Sequence, residues 1–221
     1  MESGLSDHPI QKFAVRVKEI GDRLGLITGP SDNQADMLVN ILAEALRAYM
    51  NLWKAASEKD IQYAAFALRN LLELLVWGTY CSVSKENASR LRQDSARDAV
   101  GMVRAIEAMP TNIETIAAFE QSISTARVAL QSFAAVAGIE STDDDFCPVS
   151  KAALSLDPQL ATLFRSLNKF LSKFVHPTAM SIKVLWPPDV SAELTKVLLV
   201  IGTVIFEAVV QMSDAAVLEV S

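Results

Sequence analysis

The segment 59–82 is apolar on nearly every side when it is drawn as a helix, apart from Arg69, Asn70 and Glu73. A helix of this kind is stable in water only when other elements cover it. We therefore expect the chain to pack other helices around 59–82. Because charged side chains are rare in such a helix, its polar residues are the first candidates for a function.

Residues typical of helix starts and ends divide the rest of the chain into segments. Ser31 to Gln34 and Thr111 to Glu114 match the capping-box pattern, and Asp157-Pro158 is a third helix start. Together with the proline break after Trp186, these signals predict helices near 9–24, 32–56, 59–82, 85–108, 112–137, 158–176 and 189–217. The segment 138–157 lacks a long periodic pattern and is predicted to be the main loop, with room for a short helical turn.

Apolar residues within 32–56 recur every three or four positions and form a single stripe: Leu38, Ile41, Leu42, Ala45, Tyr49, Leu52 and Trp53. This helix is expected to cover one side of the core. No alternating pattern predicts a strand. The fold class is therefore predicted to be all-α, a bundle of about six to seven helices.

Length and composition favour one domain over residues 1–221, with a flexible tail at 1–8. Apolar residues make up 51% of the chain and charged residues only 21%, and the mean hydropathy is +0.25. Such a composition predicts extensive burial, some of it between subunits, so a homodimer is expected. The most apolar stretch, Val197 to Val210, is shorter than the ~20 residues of a membrane span and is predicted to be a buried core helix.

The formal net charge of −6 provides no global attraction for nucleic acid or anionic lipid, so a site for either would have to be local. Cys81 and Cys147 are the only cysteines, which predicts neither a disulfide framework nor a metal site. The N-terminal residues lack a signal-peptide pattern. These features predict a cytoplasmic protein that does not act at a membrane.

Common catalytic signatures are missing: there is no phosphate loop, nucleophile elbow or paired-histidine zinc motif. Histidine chemistry would depend on His176, because His8 lies in the expected tail. The run Asp143 to Asp145 lacks the spacing of a calcium loop and is expected to be a solvated loop. No cofactor and no metal are predicted, and a non-catalytic role is favoured over an enzyme.

Arg69 and Glu73 form the sharpest constellation, because a spacing of four places them on one face of a helix. The same stripe continues to Val76, Trp77 and Tyr80. Charges in an apolar helix persist when they are paired and hydrogen-bonded, so we expect Arg69, Glu73 and His176 to form one polar cluster. An internal staple that fixes helix register is the favoured interpretation, and a ligand site or active site is the alternative.

Three arginines recur every seven residues in the helix 85–108: Arg90, Arg97 and Arg104. This spacing puts them on roughly one face, where they are the best local candidates for phosphate contacts with RNA or a nucleotide. The alternative is a solvated face, because Glu86, Asp94 and Glu107 lie three or four residues from these arginines and can pair with them. The solvated face is the favoured interpretation.

The residues Arg69-Asn-Leu-Leu-Glu73 and Ser172-Lys173-Phe-Val-His176-Pro177 resemble HEPN-type bacterial helical proteins. The resemblance implies a dimeric helical bundle in which a helix with Arg and Glu precedes one that ends in His-Pro. Many members bind or cut RNA in toxin–antitoxin or phage-defence systems. Ser172, Lys173 and His176 thereby join the binding candidates.

The chain departs from the nuclease motif of that family, in which an arginine stands a few residues before the histidine. Arg165 lies eleven residues before His176, which is roughly 16 Å along one helix. The resemblance therefore implies a fold more than an activity. The favoured interpretation is a non-catalytic HEPN-like bundle that acts through self-association and through binding of RNA, a nucleotide or a partner protein. Two alternatives stay open: a metal-independent ribonuclease using His176 and Arg69, and a small-molecule pocket lined by Trp53, Trp77 and Trp186.

Overall fold

The computed structural model describes residues 9–27, 33–108, 120–136, 147–175 and 187–220. Within these ranges the chain forms helices and no strand, so the predicted all-α class is confirmed. The helices are α1 (Pro9–Ile27), α2 (Asn33–Glu58), α3 (Ile61–Val83), α4 (Lys85–Glu107), α5 (Glu120–Val136), α6 (Val149–Leu156), α7 (Pro158–Val175) and α8 (Pro188–Val220). His8, His176, Trp186, the run 143–145 and the capping box at 111–114 lie outside the described residues.

Contacts divide the chain into two compact units, one of residues 1–88 with 149–221 and one of residues 89–148. The single domain over 1–221 stays a prediction. Among the described helices, none is both long enough and apolar enough to cross a membrane.

Helix α3 is central to the larger unit, as predicted from its composition. Helices α2, α6, α7 and α8 all pack against it. The apolar stripe predicted in α2 is also confirmed, since Leu38, Ile41, Leu42, Ala45, Tyr49 and Leu52 are buried and Trp53 is half-buried. Arg69 and Glu73 lie on α3, and α7, which carries Ser172 and Lys173, packs against that helix.

A tight turn makes α2 and α3 neighbours. The amide of Asp60 donates to the carbonyl of Ala55 (2.9 Å) and that of Lys59 to Ala56 (3.3 Å), which is the hydrogen-bond pattern of a Schellman helix end. Lys59 takes the left-handed conformation this turn requires, with φ 57°. Asp60 then caps α3 by accepting from the amide of Tyr63 (3.0 Å), so one helix ends and the next begins within two residues.

Helix α8 packs against both α2 and α3 and completes the core. The ring of Tyr49 stacks on Phe206 with centroids 4.7 Å apart, and its hydroxyl hydrogen-bonds to that of Thr203 (2.9 Å). Helix α1 is held to α8 by Arg16 and Arg23, which both pair with Asp214. The prediction that 197–210 is a buried core helix is wrong for one face, because Val197, Val200 and Val204 are exposed.

The short helical turn allowed within the predicted loop 138–157 is α6, Val149–Leu156, and 138–146 lie outside the described residues. Ala152 and Ala153 of α6 are fully buried, and the helix packs on α3 and α7. A helix of two turns shows too little periodicity to stand out in a sequence and is stable only through tertiary contacts. The Asp157-Pro158 start is confirmed, since α7 begins at Pro158 and Asp157 accepts from the amide of Gln159 (2.9 Å).

Candidate functional site

Arg69 and Glu73 pair as their spacing predicts: Arg69 Nε donates to Glu73 Oε1 over 3.2 Å. The side chains are 29% and 32% exposed, respectively. This pair is therefore not sealed inside the core, although it stands on the most apolar helix. Water reaches both charges, which weakens the case for an internal staple and favours a role at the surface.

Glu73 belongs to a groove of about 480 Å³ between α2 and α3. The groove volume falls within the ~300–1,000 Å³ that is common for ligand sites. Its lining comes from both helices and comprises Glu44, Arg47, Ala48, Asn51, Phe66, Asn70, Glu73, Leu74 and Trp77.

The spacing of these residues explains why the groove is long. The lining positions on each helix are mostly three or four residues apart, so each set follows one helical stripe. From Phe66 to Trp77 the α3 stripe rises by about 16 Å, which is three turns of helix. The turn at Lys59 and Asp60 holds the two stripes side by side. The result is an elongated groove instead of a closed cavity.

The groove combines aromatic surface with paired charges. Phe66 is 47% exposed, so its ring is available at the surface of the groove. Trp77 is half-buried and makes an edge-to-face contact with Tyr80, with ring centroids 5.9 Å apart. Tyr80 itself is buried, so it supports Trp77 and does not line the groove. Of the stripe predicted from Arg69, Val76 and Tyr80 point into the core.

Each carboxylate in the groove has an arginine beside it. Glu44 pairs with Arg47 on α2, and Glu73 pairs with Arg69 on α3. Asn51 and Asn70 add neutral donors and acceptors. The lining therefore carries two carboxylates and one guanidinium, with Arg69 outside it, and this balance is not that of a phosphate-binding surface.

The remaining candidates from the HEPN-like pattern lie on α7. The hydroxyl of Ser172 donates to the carbonyl of Lys169 (2.8 Å), within its own helix, and Lys173 is exposed. His176 is outside the described residues, so its expected contact with Arg69 and Glu73 stays a prediction. Ser172 and Lys173 are not among the residues that line the groove.

The arginines of α4 do not form one exposed face. Arg97 is only 12% exposed at its side chain and pairs with Asp94, which is 3% exposed, over 2.5 Å. Arg90 is half-buried and Arg104 is exposed. The prediction of a solvated stripe is therefore wrong at Arg97, because its partner Asp94 is buried.

Asp94 is held from two directions in the smaller unit. It accepts from Arg97 and, over 3.3 Å, from the backbone amide of Cys147. Burial, together with the nearby charge of Asp94, raises the pKa of the Asp98 carboxyl. This network ties α4 to the segment that precedes α6.

The Cys81 thiol is buried. Burial raises the pKa of the Cys81 thiol to about 12, so the thiol stays protonated at neutral pH and is a poor nucleophile. Within the described ranges, no group of histidine, cysteine, aspartate and glutamate side chains is arranged to hold a metal ion.

Six lining residues were not among the candidates from the sequence: Glu44, Arg47, Ala48, Asn51, Phe66 and Leu74. A signal for Phe66 was present, because Phe66, Asn70, Glu73 and Trp77 fall on one stripe of α3. The residues of α2 gave no such signal. Their place beside α3 depends on the turn at Lys59, which is not apparent from the pattern of α2 alone.

Comparison of the chain with protein families, with curated protein sequences and with solved structures found no match.

Proposed function

We propose that this protein is a non-catalytic helical bundle that binds a helical segment of a partner protein in the groove between α2 and α3. The observation that carries the proposal is the exposed ring of Phe66 in line with Trp77 along the groove. Large aromatic side chains at the surface are the usual anchors of protein–protein contacts, because each contributes much apolar area at little entropic cost.

The shape of the groove favours a helix as its occupant. Amphipathic helices bind in elongated grooves through apolar residues at positions i, i+3 or i+4, and i+7. Phe66 and Trp77 are about 16 Å apart along α3, which equals three turns of a bound helix. A ligand of this kind would pack its apolar side chains on Phe66, Leu74 and Trp77, with its backbone fully hydrogen-bonded within the helix.

The charges of the groove favour a peptide over RNA or a nucleotide. Two carboxylates face the groove, and each arginine near it already has a carboxylate partner. Phosphate oxygens would be repelled by Glu44 and Glu73, whereas a lysine or arginine on a peptide would be attracted by the exposed part of Glu73. The preferred ligand is therefore an amphipathic helix with a basic residue beside its apolar stripe.

Selection of helical peptides from a displayed random library against the full chain, followed by affinity measurements, tests the proposal. Phe66→Ala should raise the dissociation constants of the selected peptides by about tenfold or more, as expected for the loss of an anchor residue. Phe170→Ala is the matched control, because Phe170 is 42% exposed on α7, outside the groove lining. Equal effects of the two substitutions would contradict the proposal.

A mixed RNA pool provides the competing arm. If RNA bound more tightly than any selected peptide and Glu73→Gln strengthened it, the groove would be a nucleic-acid site and the peptide proposal would be wrong. Cleavage of the pool in the presence of a chelator would instead support the ribonuclease alternative.

We also propose a topology, an oligomeric state and a compartment for the protein. The HEPN-like topology is supported by the packing of α7, which carries Ser172 and Lys173, against the helix of Arg69 and Glu73. A homodimer is supported by the high apolar fraction of the chain. A reducing compartment such as the cytoplasm is supported by two buried, free thiols, Cys81 and Cys147.

A further inference from the structure

Helix α8 has apolar side chains on two opposite faces. The inner face packs in the core and includes Leu198, Ile205, Phe206 and Val209, all buried. The outer face carries Val197, Val200 and Val204, which are 52%, 66% and 62% exposed. Their spacings of three and four place these valines in one continuous stripe.

Valine is a poor choice for a solvated helix position. Its branched side chain loses rotamer freedom in a helix, and its methyl groups gain nothing from water. A helix face that meets only solvent normally carries Glu, Lys, Gln or Ala. The exposed residues on either side of the valine stripe, Lys196 and Glu207, are of this kind. Three exposed valines in succession therefore indicate a face that is covered by another surface.

Charges at the two ends of the stripe indicate what that surface is. Lys196 lies at the end nearer the start of α8, where it pairs with Glu193 over 2.6 Å, and exposed Glu207 lies at the other end. If two copies of α8 cross antiparallel with their two-fold axis at the level of Gly202, Val200 of each copy meets Val204 of the other. Measured along the helices, Lys196 then lies about 9 Å from the level of the two-fold axis and Glu207 about 7.5 Å. Because the helices are antiparallel, Lys196 of one copy and Glu207 of the other lie toward the same end of the pair.

The antiparallel arrangement therefore brings the Lys196 ammonium of one copy beside the Glu207 carboxylate of the other, twice. A parallel pairing would instead place Glu207 against Glu207, and like charges in such positions are unfavourable. A surface that is complementary to itself in this way is what a two-fold homodimer requires.

We propose that the outer face of α8, the stripe Val197, Val200 and Val204, is the dimer interface of this protein, with the two α8 helices antiparallel. The assignment rests on the proposed self-association of the chain and specifies its surface and register. It is independent of the groove between α2 and α3, to which α8 contributes no lining residue.

Sedimentation equilibrium of the full chain tests the interface. The wild type should dimerise, and Val200→Glu should raise the dissociation constant by about tenfold or more, because it places a carboxylate against the apolar Val204 of the other copy and brings two like charges close to the two-fold axis. The new carboxylate lies four residues after Lys196, so the helix itself should tolerate it. Val83→Glu is the matched control, since Val83 is 65% exposed on α3, and it should leave the dimer intact.

Charge reversal tests the register. Lys196→Glu alone should weaken the dimer, and Lys196→Glu combined with Glu207→Lys should restore it, because the pair is re-formed with opposite signs. If Val200→Glu proved unfolded by circular dichroism, Val200→Ala would serve in its place, since alanine favours the helix and still removes the contact.

The outcomes separate the two levels of the proposal. A wild type that stays monomeric up to about 100 µM overturns self-association itself. A dimer that survives Val200→Glu and Val200→Ala overturns only the assignment to α8, and a double charge reversal that fails to restore the dimer overturns the antiparallel register.

Discussion

Helices α3 and α4 are consecutive, each has 23 residues, and each carries an ion pair within one turn, yet the two pairs have opposite environments. Arg69 and Glu73 stand on the apolar helix and are about one-third exposed. Arg97 and Asp94 stand on the polar helix and are nearly buried. The polarity of a helix as a whole therefore does not tell which of its charges lies inside.

The reason lies in what each pair faces. Beside Glu73 the neighbouring helix α2 presents Glu44, Arg47 and Asn51, so the two helices leave a groove that water enters. Beside Asp94 the chain brings the backbone amide of Cys147, which hydrogen-bonds to the carboxylate and excludes water. Spacing along the helix produces both pairs, and packing decides how strongly each contributes to stability.

Among the substitutions that test this difference between the two pairs, Arg97→Met is expected to change the free energy of unfolding most. The substitution keeps much of the side-chain volume but leaves the buried carboxylate of Asp94 without its cation, which should cost on the order of 3–5 kcal/mol in the free energy of unfolding. Chemical denaturation followed by circular dichroism measures the loss. Arg104→Met, at an exposed position of the same helix, is the control and should change stability by about 0.5 kcal/mol or less.

The double variant Asp94→Asn/Arg97→Met sharpens this result. It removes both charges, while the amide oxygen of the new asparagine can still accept from Cys147. Much of the loss seen in Arg97→Met should therefore be recovered. If the double variant were as unstable as the single one, the stranded charge would not be the cause.

An effect of intermediate size is expected at the glycines of the two helices. A Cβ atom on Gly78 in α3 would lie 2.4 Å from Met212 Cε and 3.4 Å from Ile41 Cγ2, whereas one on Gly101 in α4 would meet nothing within 4 Å. The Met212 methyl group ends a flexible side chain and can move aside, so Gly78→Ala should be about 1 kcal/mol less stable than Gly101→Ala, with most of its helix-propensity gain lost. Gly101→Ala should stabilise the protein by about 0.5–1 kcal/mol. Thermal or urea denaturation that shows Gly78→Ala to be as stabilising as Gly101→Ala would contradict the contact between Gly78 and Met212.

The smallest effect is expected from Glu73→Gln. Because the Arg69–Glu73 pair is partly solvated, its loss should lower the free energy of unfolding by less than about 1 kcal/mol. Urea denaturation alongside Arg97→Met gives the comparison directly. A loss as large as that of Arg97→Met would show that Arg69 and Glu73 form the internal staple favoured by the sequence alone, and that the groove is not open to a ligand.

Much of the fold was predictable because its signals are local. The apolar character of 59–82 predicted a central helix, the stripe from Leu38 to Leu52 predicted one wall of the core, and Asp157-Pro158 marked the start of α7. Within the site, the pairing of Arg69 with Glu73 followed from a spacing of four residues. Each of these depends on neighbours within one or two turns, which a sequence displays directly.

The tertiary structure alone decided which faces meet water and which meet protein. Helix α6 exists because α3 and α7 bury Ala152 and Ala153, and the buried carboxylate of Asp94 accepts a hydrogen bond from Cys147, which is distant in sequence. The groove of Phe66 and Trp77 and the exposed valines of α8 likewise depend on how far neighbouring helices extend over them. A helical period specifies faces and not their surroundings, so the sequence determined the helices and their stripes, while packing between distant segments determined which stripe is core and which is left for a partner.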